Sequence, residues 1–516
     1  MSSINEHEKN PELVKDASLM KDPEIVSSED SIAKYDVLEG EVDKETQIQQ
    51  LADELGVDQR RLMWKIDLCV VPPFCLLYFL SFLDRVNISN ANVYGLSTDL
   101  GLVGNQYNTA LVVFFVPYIT FEVLANYCIK HVKPHIWLSV LVLCFGAISI
   151  GLGFVQNFGG LVACRFLIGV TEASTFPSIF YLLSTYYSKV ESQRRFSIFF
   201  STTALSGAAS GSIAYKIHDL NMVHGLESWR WIFIIEGAVT CGCAILLFFL
   251  IADFPEEAKF LKSNEAQFLK SKLEILAGVP SGFEVKVTWK DVAKCLKDLL
   301  IWVPSFIYFG LIIPLYGYAY FAATIINNMG FSPVATQRLS VFPWVCAFVV
   351  TNIAAFISDR MRKRMPFAII LSCVAIVGLA MILGAERTAV RYVGCFFTAS
   401  GLYAAMPIVV CWASLNWSSH SRKMVGTAWQ IGIGNMGGLI SSFIFLKKDS
   451  PRYITGLSVS LAAVVFAILS TILYFFVCFR MNRIKKTEKY IQEFEAMSER
   501  DQINAGDRNP KFVYLY

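Results

Sequence analysis

The chain has 516 residues, of which 54% are apolar and 17% charged, with a formal net charge of +3. A soluble domain carries about 25% charged residues, and a charge this close to neutral excludes bulk electrostatic attraction to nucleic acid. The thirteen cysteines are scattered, several inside apolar runs (Cys69, Cys75, Cys144, Cys373), and with no metal-ligand spacing they read as packing residues.

Residues 1–60 are polar and acidic. Such a composition cannot bury enough apolar surface to fold alone, so a disordered N-terminal tail is expected there. It has neither a basic n-region nor an early apolar core, which argues against a cleaved signal peptide. Uncharged or nearly uncharged runs then recur near 68–90, 105–129, 136–154, 161–187, 196–215, 231–252, 299–324, 339–358, 366–385, 392–415, 424–446 and 454–479. Each approaches or exceeds the roughly 20 residues that cross a hydrocarbon core as a helix. None shows the alternation of a barrel strand. The fold class expected is therefore an all-α membrane protein with twelve transmembrane helices as two six-helix bundles, 61–252 and 299–480. A Lys- and Glu-rich linker at 253–298 separates them, and a tail covers 481–516. Two such halves are a transporter layout rather than a receptor layout.

The first run is informative because it is short. Uncharged sequence covers only 68–83, less than a bilayer thickness, so the helix must continue through Asp84, Arg85 and Asn87. That places these polar groups inside the protein rather than in lipid.

Basic residues concentrate in alternate loops: Arg60, Arg61 and Lys65; Lys130 and Lys133; Lys189, Arg194 and Arg195; Arg360, Arg362, Lys363 and Arg364; Arg422 and Lys423; and Arg480, Arg483, Lys485 and Lys486. The positive-inside rule then predicts that both termini and the linker are cytoplasmic. Lys447, Lys448 and Arg452 are the main exception.

Six charged residues fall within the predicted spans: Asp84, Arg85, Glu122, Arg165, Glu172 and Glu236, all in the first half. Each costs at least a few kcal/mol near the bilayer centre unless a partner or a water-filled cavity compensates it. They read either as a polar pathway, with arginines for an anion and carboxylates for protons, or as structural ion pairs. Arg165 and Glu172 are two helical turns apart, about 10 Å along one face. Both need partners elsewhere, for which Asp84 and Arg85 are the candidates. No histidine lies in a span, so a proton relay would have to use carboxylates. Gly432, Gly434 and Gly437 spell G-x-G-x-x-G, but inside an apolar helical run they read as close packing and not as a dinucleotide loop. Gly207 and Gly211 read as a small-residue packing face. The sequons at Asn87 and Asn416 fall in a span and a cytoplasmic loop and are discounted.

An ordered set of motifs resembles the fungal allantoate permease family, the anion:cation symporter branch of the major facilitator superfamily. The set runs from Leu83-Asp84-Arg85-Val86-Asn87-Ile88 through Phe121-Glu122 and Arg165-Phe166-Leu167-Ile168-Gly169, with Glu172 and Pro177. It continues with Trp229-Arg230-Trp231, Glu236-Gly237, Phe254-Pro255-Glu256 and Ser358-Asp359-Arg360. It ends with Ile433-Gly434-Asn435 and Asp449-Ser450-Pro451-Arg452-Tyr453. Within that family the chain is most similar to nicotinic acid permeases, on residues 102–109 and 451–454. Two departures stand out. The loop 126–135 lacks the superfamily's acidic residue, and Leu124 and Ala125 stand where many members have a proline.

The resemblance implies a proton-coupled importer of a small organic anion such as nicotinate, working by alternating access. Sibling permeases carry pantothenate, biotin or allantoate, and a transporter-like sensor is the alternative of another class. Arg85 and Arg165 are the candidate carboxylate partners, because a planar guanidinium can hold both oxygens at once. Asn87, Tyr316, Tyr320 and Asn435 join them as candidate substrate contacts; only part of the group Tyr316, Tyr318 and Tyr320 can face one way. Glu172, Asp84, Glu122 and Glu236 are candidate proton carriers, since loss of water favours the neutral form of a carboxyl group. Asp359, Arg360 and Arg364 are expected to form a cytoplasmic gate. The partners implied are the anion, a proton and the lipid bilayer, with no cofactor, metal or nucleic acid, and the expected site is the plasma membrane, with the endoplasmic reticulum or vacuole as alternatives.

Overall fold

The computed structural model of the protein describes residues 44–129, 131–277, 289–361, 363–418 and 420–498, together with 502, 505–510 and 512–516. The tail residues 1–43, and Lys130 and Arg362 of the basic loops, lie outside them.

Among the described residues all regular secondary structure is helical, because in lipid each backbone N–H must find its carbonyl within its own segment. Helix α1 covers 44–55. The first half contains α2 (Gln59–Val93), α3 (Gln106–Cys128), α4 (Pro134–Leu152), α5 (Phe158–Glu172), α6 (Thr175–Tyr186), α7 (Lys189–Ile217) and α8 (Ser228–Leu250). Linker helix α9 (Ser263–Ala277) precedes α10 (Leu299–Asn327), α11 (Pro333–Met361), α12 (Met365–Gly384), α13 (Thr388–Asn416), α14 (His420–Ile444), α15 (Ile454–Lys485) and α16 (Glu488–Glu495). Each expected apolar run falls on one of these helices, apart from 161–187, which α5 and α6 share, and nine helical stretches among the described residues are long and apolar enough to cross a membrane. Side chains such as Phe249, Ile245, Leu469 and Phe476 point outward from the bundle, as a lipid-facing surface requires.

Helix ends have local causes. Asp58 caps α2 by accepting from the Arg61 N–H, and Ser188 with Glu191 forms a capping box at α7. Helices α5 and α6 together make the fourth span. Its interruption at Ala173 and Ser174 follows from Pro177, which has no N–H to give to the Ala173 carbonyl four residues back.

The halves meet along a seam in which α7 faces α11, α3 faces α14 and α2 faces α10. Glycines let the helices approach. A Cβ on Gly207 would lie 2.4 Å from the Trp344 ring, and one on Gly438 would lie 2.3 Å from the Phe115 ring. Asn108 of α3 donates to the carbonyls of Ser442 (2.6 Å) and Phe445 (3.0 Å), and Gln337 donates to the Asn90 carbonyl at 3.4 Å. Among the described residues no ion pair bridges the seam. Gly434 of the G-x-G-x-x-G string packs on the Tyr308 ring of its own half, as close packing predicts.

The expectation of disorder over 1–60 fails for the described residues 44–60: α1 buries Ile48 and Ala52, and the Leu55 carbonyl accepts from Asn264 of α9 at 3.1 Å. Helix α9 is itself held to the first half by Lys65–Glu265 (2.6 Å) and Lys272–Glu191 (2.7 Å). Within the expected tail 481–516, the described residues 505–510 and 512–516 form a strap across the basic end of the second half. Asp507 is fully buried, accepts from the Tyr514 hydroxyl at 2.9 Å and pairs with Arg422, which also reaches Asp298. Trp412 Nε1 donates to the Leu515 carbonyl at 2.8 Å, and the Arg364 N–H donates to the Tyr516 carbonyl at 3.2 Å. Asn416 and Leu515 exchange two hydrogen bonds of 3.1 and 2.8 Å, so Asn416 is a buried helix end and not a loop residue.

Candidate functional site

Ser81 and Arg85 are four residues apart on α2 and so share one face of it; Asp84 lies beside them, and all three are buried. Arg85 donates through Nε to Glu172 Oε2 at 2.7 Å, and Ser81 Oγ donates to the same oxygen at 2.9 Å. Arg85 Nη1 donates to the Tyr316 hydroxyl at 2.9 Å, which reaches across the seam to α10. The rings of Phe114 and Tyr118 from α3 lie 5.0 and 4.6 Å from its guanidinium carbon, within range of cation–π attraction. A charge is thus desolvated and compensated on three sides, by an anion, a hydroxyl and two aromatic faces.

Arg165 is held less completely. It is 1% exposed, and its Nη1 lies 4.0 Å from Asp84 Oδ2, longer than a hydrogen bond. Its Nε and Nη2, the two donors on one edge of the guanidinium, have no partner among the described residues. The other Asp84 oxygen accepts from Ser149. The four charges of α2 and α5 therefore cross over, Arg85 with Glu172 and Asp84 with Arg165. Glu172 belongs to Arg85, not to the arginine two turns away on its own helix.

The remaining candidates divide. Glu122 is buried with neither oxygen hydrogen-bonded, and Glu236 is in the same condition within Coulombic reach of Asp84. Asn87 accepts from Ser210 Oγ at 2.6 Å, tying α2 to α7, while its amide nitrogen is unpartnered. Asn435 is buried with its amide nitrogen also unpartnered. Tyr316 and Tyr320 stack at 5.7 Å and 14°, whereas Tyr318 turns away onto Trp344. At the basic end, Arg364 pairs with Asp359 at 2.6 Å and donates to Ser358 at 2.9 Å. Arg360 is exposed and is not drawn into that group.

Sequence reasoning missed Ser81, Phe114 and Tyr118. A signal was present, since Ser81 lies one turn before Arg85 and Tyr118 one turn before Glu122. It also missed Arg391, because the tenth run was cut at 392 and the helix starts at Thr388; Arg391 is buried inside it.

A buried guanidinium edge with two parallel free donors matches the two oxygens of one carboxylate. Nearby, Tyr316, Tyr320 and Phe115 give flat apolar faces, with Phe115 edge-on to Tyr316 at 4.9 Å.

Residues 74–446 match the sequence profile described as Major Facilitator Superfamily. The chain is 32% identical over 460 residues to a protein of Saccharomyces cerevisiae named high-affinity nicotinic acid transporter, covering 89% of this chain and 85% of that one. It is 28% identical over 464 residues to a major facilitator-type transporter of Emericella nidulans, covering 89% and 93%. Among solved structures it is similar to a proton:xylose symporter, with a TM-score of 0.60 at 14% identity over 79% of this chain and 96% of the other. A bacterial homologue of the lysosomal transporter Spinster, inward-facing and unoccupied, gives a TM-score of 0.59 at 14% identity over 81% and 97%.

Proposed function

The chain belongs to the major facilitator superfamily as a multi-pass membrane transporter, not an enzyme, and from that premise we propose that it imports a small organic anion together with a proton. We place it in the allantoate permease branch, with a nicotinate-like carboxylate as substrate and the plasma membrane as its site. The basic end, with both tails, faces the cytoplasm in this reading.

The observation that carries it is the free Nε–Nη2 edge of Arg165, a bidentate carboxylate site already desolvated. Coupling then follows from competition at the neighbouring arginine. Arg85 holds the Glu172 carboxylate through Nε at 2.7 Å, and a substrate carboxylate that reaches from Arg165 to take the Nε–Nη2 edge of Arg85 would have to displace it. Glu172 released from its guanidinium is a buried carboxylate without a counter-ion, which costs least when it takes up a proton. Anion and proton therefore arrive together and leave together. Asp84, Glu122 and Glu236 extend the possible proton route away from that pair. Tyr316 carries the state of Arg85 across the seam, which links occupancy to the movement of one half against the other.

Uptake of labelled nicotinate into proteoliposomes with an imposed pH gradient tests the reading. Accumulation that collapses with the gradient supports it, and gradient-independent equilibration removes the coupling.

A further inference from the structure

Between the halves, at the end opposite the strap, lies a cavity of about 180 Å³. Its lining carries one cation, Lys447, and no carboxylate. Lys447 belongs to the short loop with Lys448 and Arg452 that breaks the positive-inside pattern. Charge placed against that pattern calls for a reason other than topology.

The cavity walls are suited to a flat ring. Phe321 and Phe445 stack at 4.7 Å and 21°, Tyr453 approaches Phe445 at 5.9 Å, and Tyr107 meets Phe321 edge-on at 6.1 Å. The Thr324 hydroxyl on the wall is shielded from solvent and has no partner. Asn108 closes the floor through its bonds to the Ser442 and Phe445 carbonyls. Tyr107 in the wall also lies within electrostatic reach of Arg165.

We propose that this cavity is a first binding station for an aromatic monocarboxylate. Its carboxylate meets Lys447 and the Thr324 hydroxyl, and its ring lies on the Phe321–Phe445 stack, before the halves part at Asn108 and pass it to Arg165. The station rests on the reading of the chain as an importer of organic anions. A cation at a mouth free of carboxylates raises the local anion concentration and so acts on capture, not on turnover.

The test is initial-rate uptake of labelled nicotinate at low and high ionic strength, in the wild type, Lys447→Gln, Lys447→Arg and Thr324→Val. Lys447 is exposed, so its variants leave the packed helices intact. The station predicts that Lys447→Gln raises KM roughly three- to tenfold at unchanged saturating rate and flattens the salt dependence. Lys447→Arg should restore both, and Thr324→Val should raise KM alone. Wild-type KM and salt dependence in Lys447→Gln would overturn the station and leave the transport reading standing. Absence of nicotinate uptake by the wild type, with the protein folded and inserted, would overturn both.

Discussion

Arg85 and Glu172 sit on different helices, are both almost fully buried, and meet at 2.7 Å, so that neither charge of the first bundle can change without the other responding. Glu172→Gln removes the negative partner and mimics the protonated state. The variant should still exchange nicotinate across the membrane, yet fail to concentrate it against a gradient. Counterflow measured beside proton-driven uptake reads the difference: equal loss of both would reduce Glu172 to a structural role.

Arg165→Lys keeps the positive charge near Asp84 but replaces a two-donor edge with a point charge. Charge-assisted hydrogen bonds are worth about 1.5–3 kcal/mol, so KM should rise roughly ten- to hundredfold while the protein reaches the membrane in normal amount. Unchanged uptake would leave Arg165 as a partner of Asp84 only.

The glycines of the seam give a steric prediction. Gly207→Ala places a methyl group 2.4 Å from the Trp344 ring, and overpacking of this kind costs about 1–3 kcal/mol. Thermal stability in detergent and transport rate should both fall, and the second change Trp344→Leu should recover much of the loss. A Gly207→Ala protein as stable and active as the wild type would show that the seam yields.

Asp507 joins Arg422, Tyr514 and the backbone at Ser418 inside the strap. Asp507→Ala leaves the Tyr514 hydroxyl without its acceptor and removes one of the carboxylates paired with the buried Arg422, so about 3–5 kcal/mol should be lost. Differential scanning of the purified chain should show a melting point several degrees lower, with substrate affinity unchanged. A shift in affinity instead would assign the strap to the transport cycle.

Orientation is testable with single cysteines. A cysteine at Ser97 should react with an impermeant reagent from outside the cell, and one at Ser281, outside the described residues, should not. The reverse pattern would turn the molecule over and place the Lys447 cavity in the cytoplasm.

Helix positions were legible because spans obey a length rule that each run meets by itself. The inner polar residues of α2 were legible for the same reason, since a run ending at Leu83 is too short to stop there. Tyr316 and Tyr320 could be paired from their spacing alone. Asp84 and Arg85 could be named as the partners of Arg165 and Glu172 because each buried charge needs one, but how closely each pair meets depends on the relative height of two helices, which no spacing within one helix supplies. The docking of α1 and of 506–510 with 512–516 was hidden for a further reason. Their composition is that of solvated chain, and what orders them is a set of side chains, Asn264 for the one and Trp412, Asn416 and Arg422 for the other, that arrive from distant sequence.

Among the described residues, the seam has glycine against ring faces, a few neutral hydrogen bonds and the Arg85–Tyr316 bond in place of opposed charges. It works as a greased bearing: a slide of one half past the other trades one apolar contact for a similar one and pulls no ions apart. In the proposed cycle friction then depends on what the site contains, because the Arg85–Tyr316 bond crosses the bearing beside the proposed anion site. An empty carrier and a loaded one would turn on the same surfaces with different drag, and the difference is set by one guanidinium.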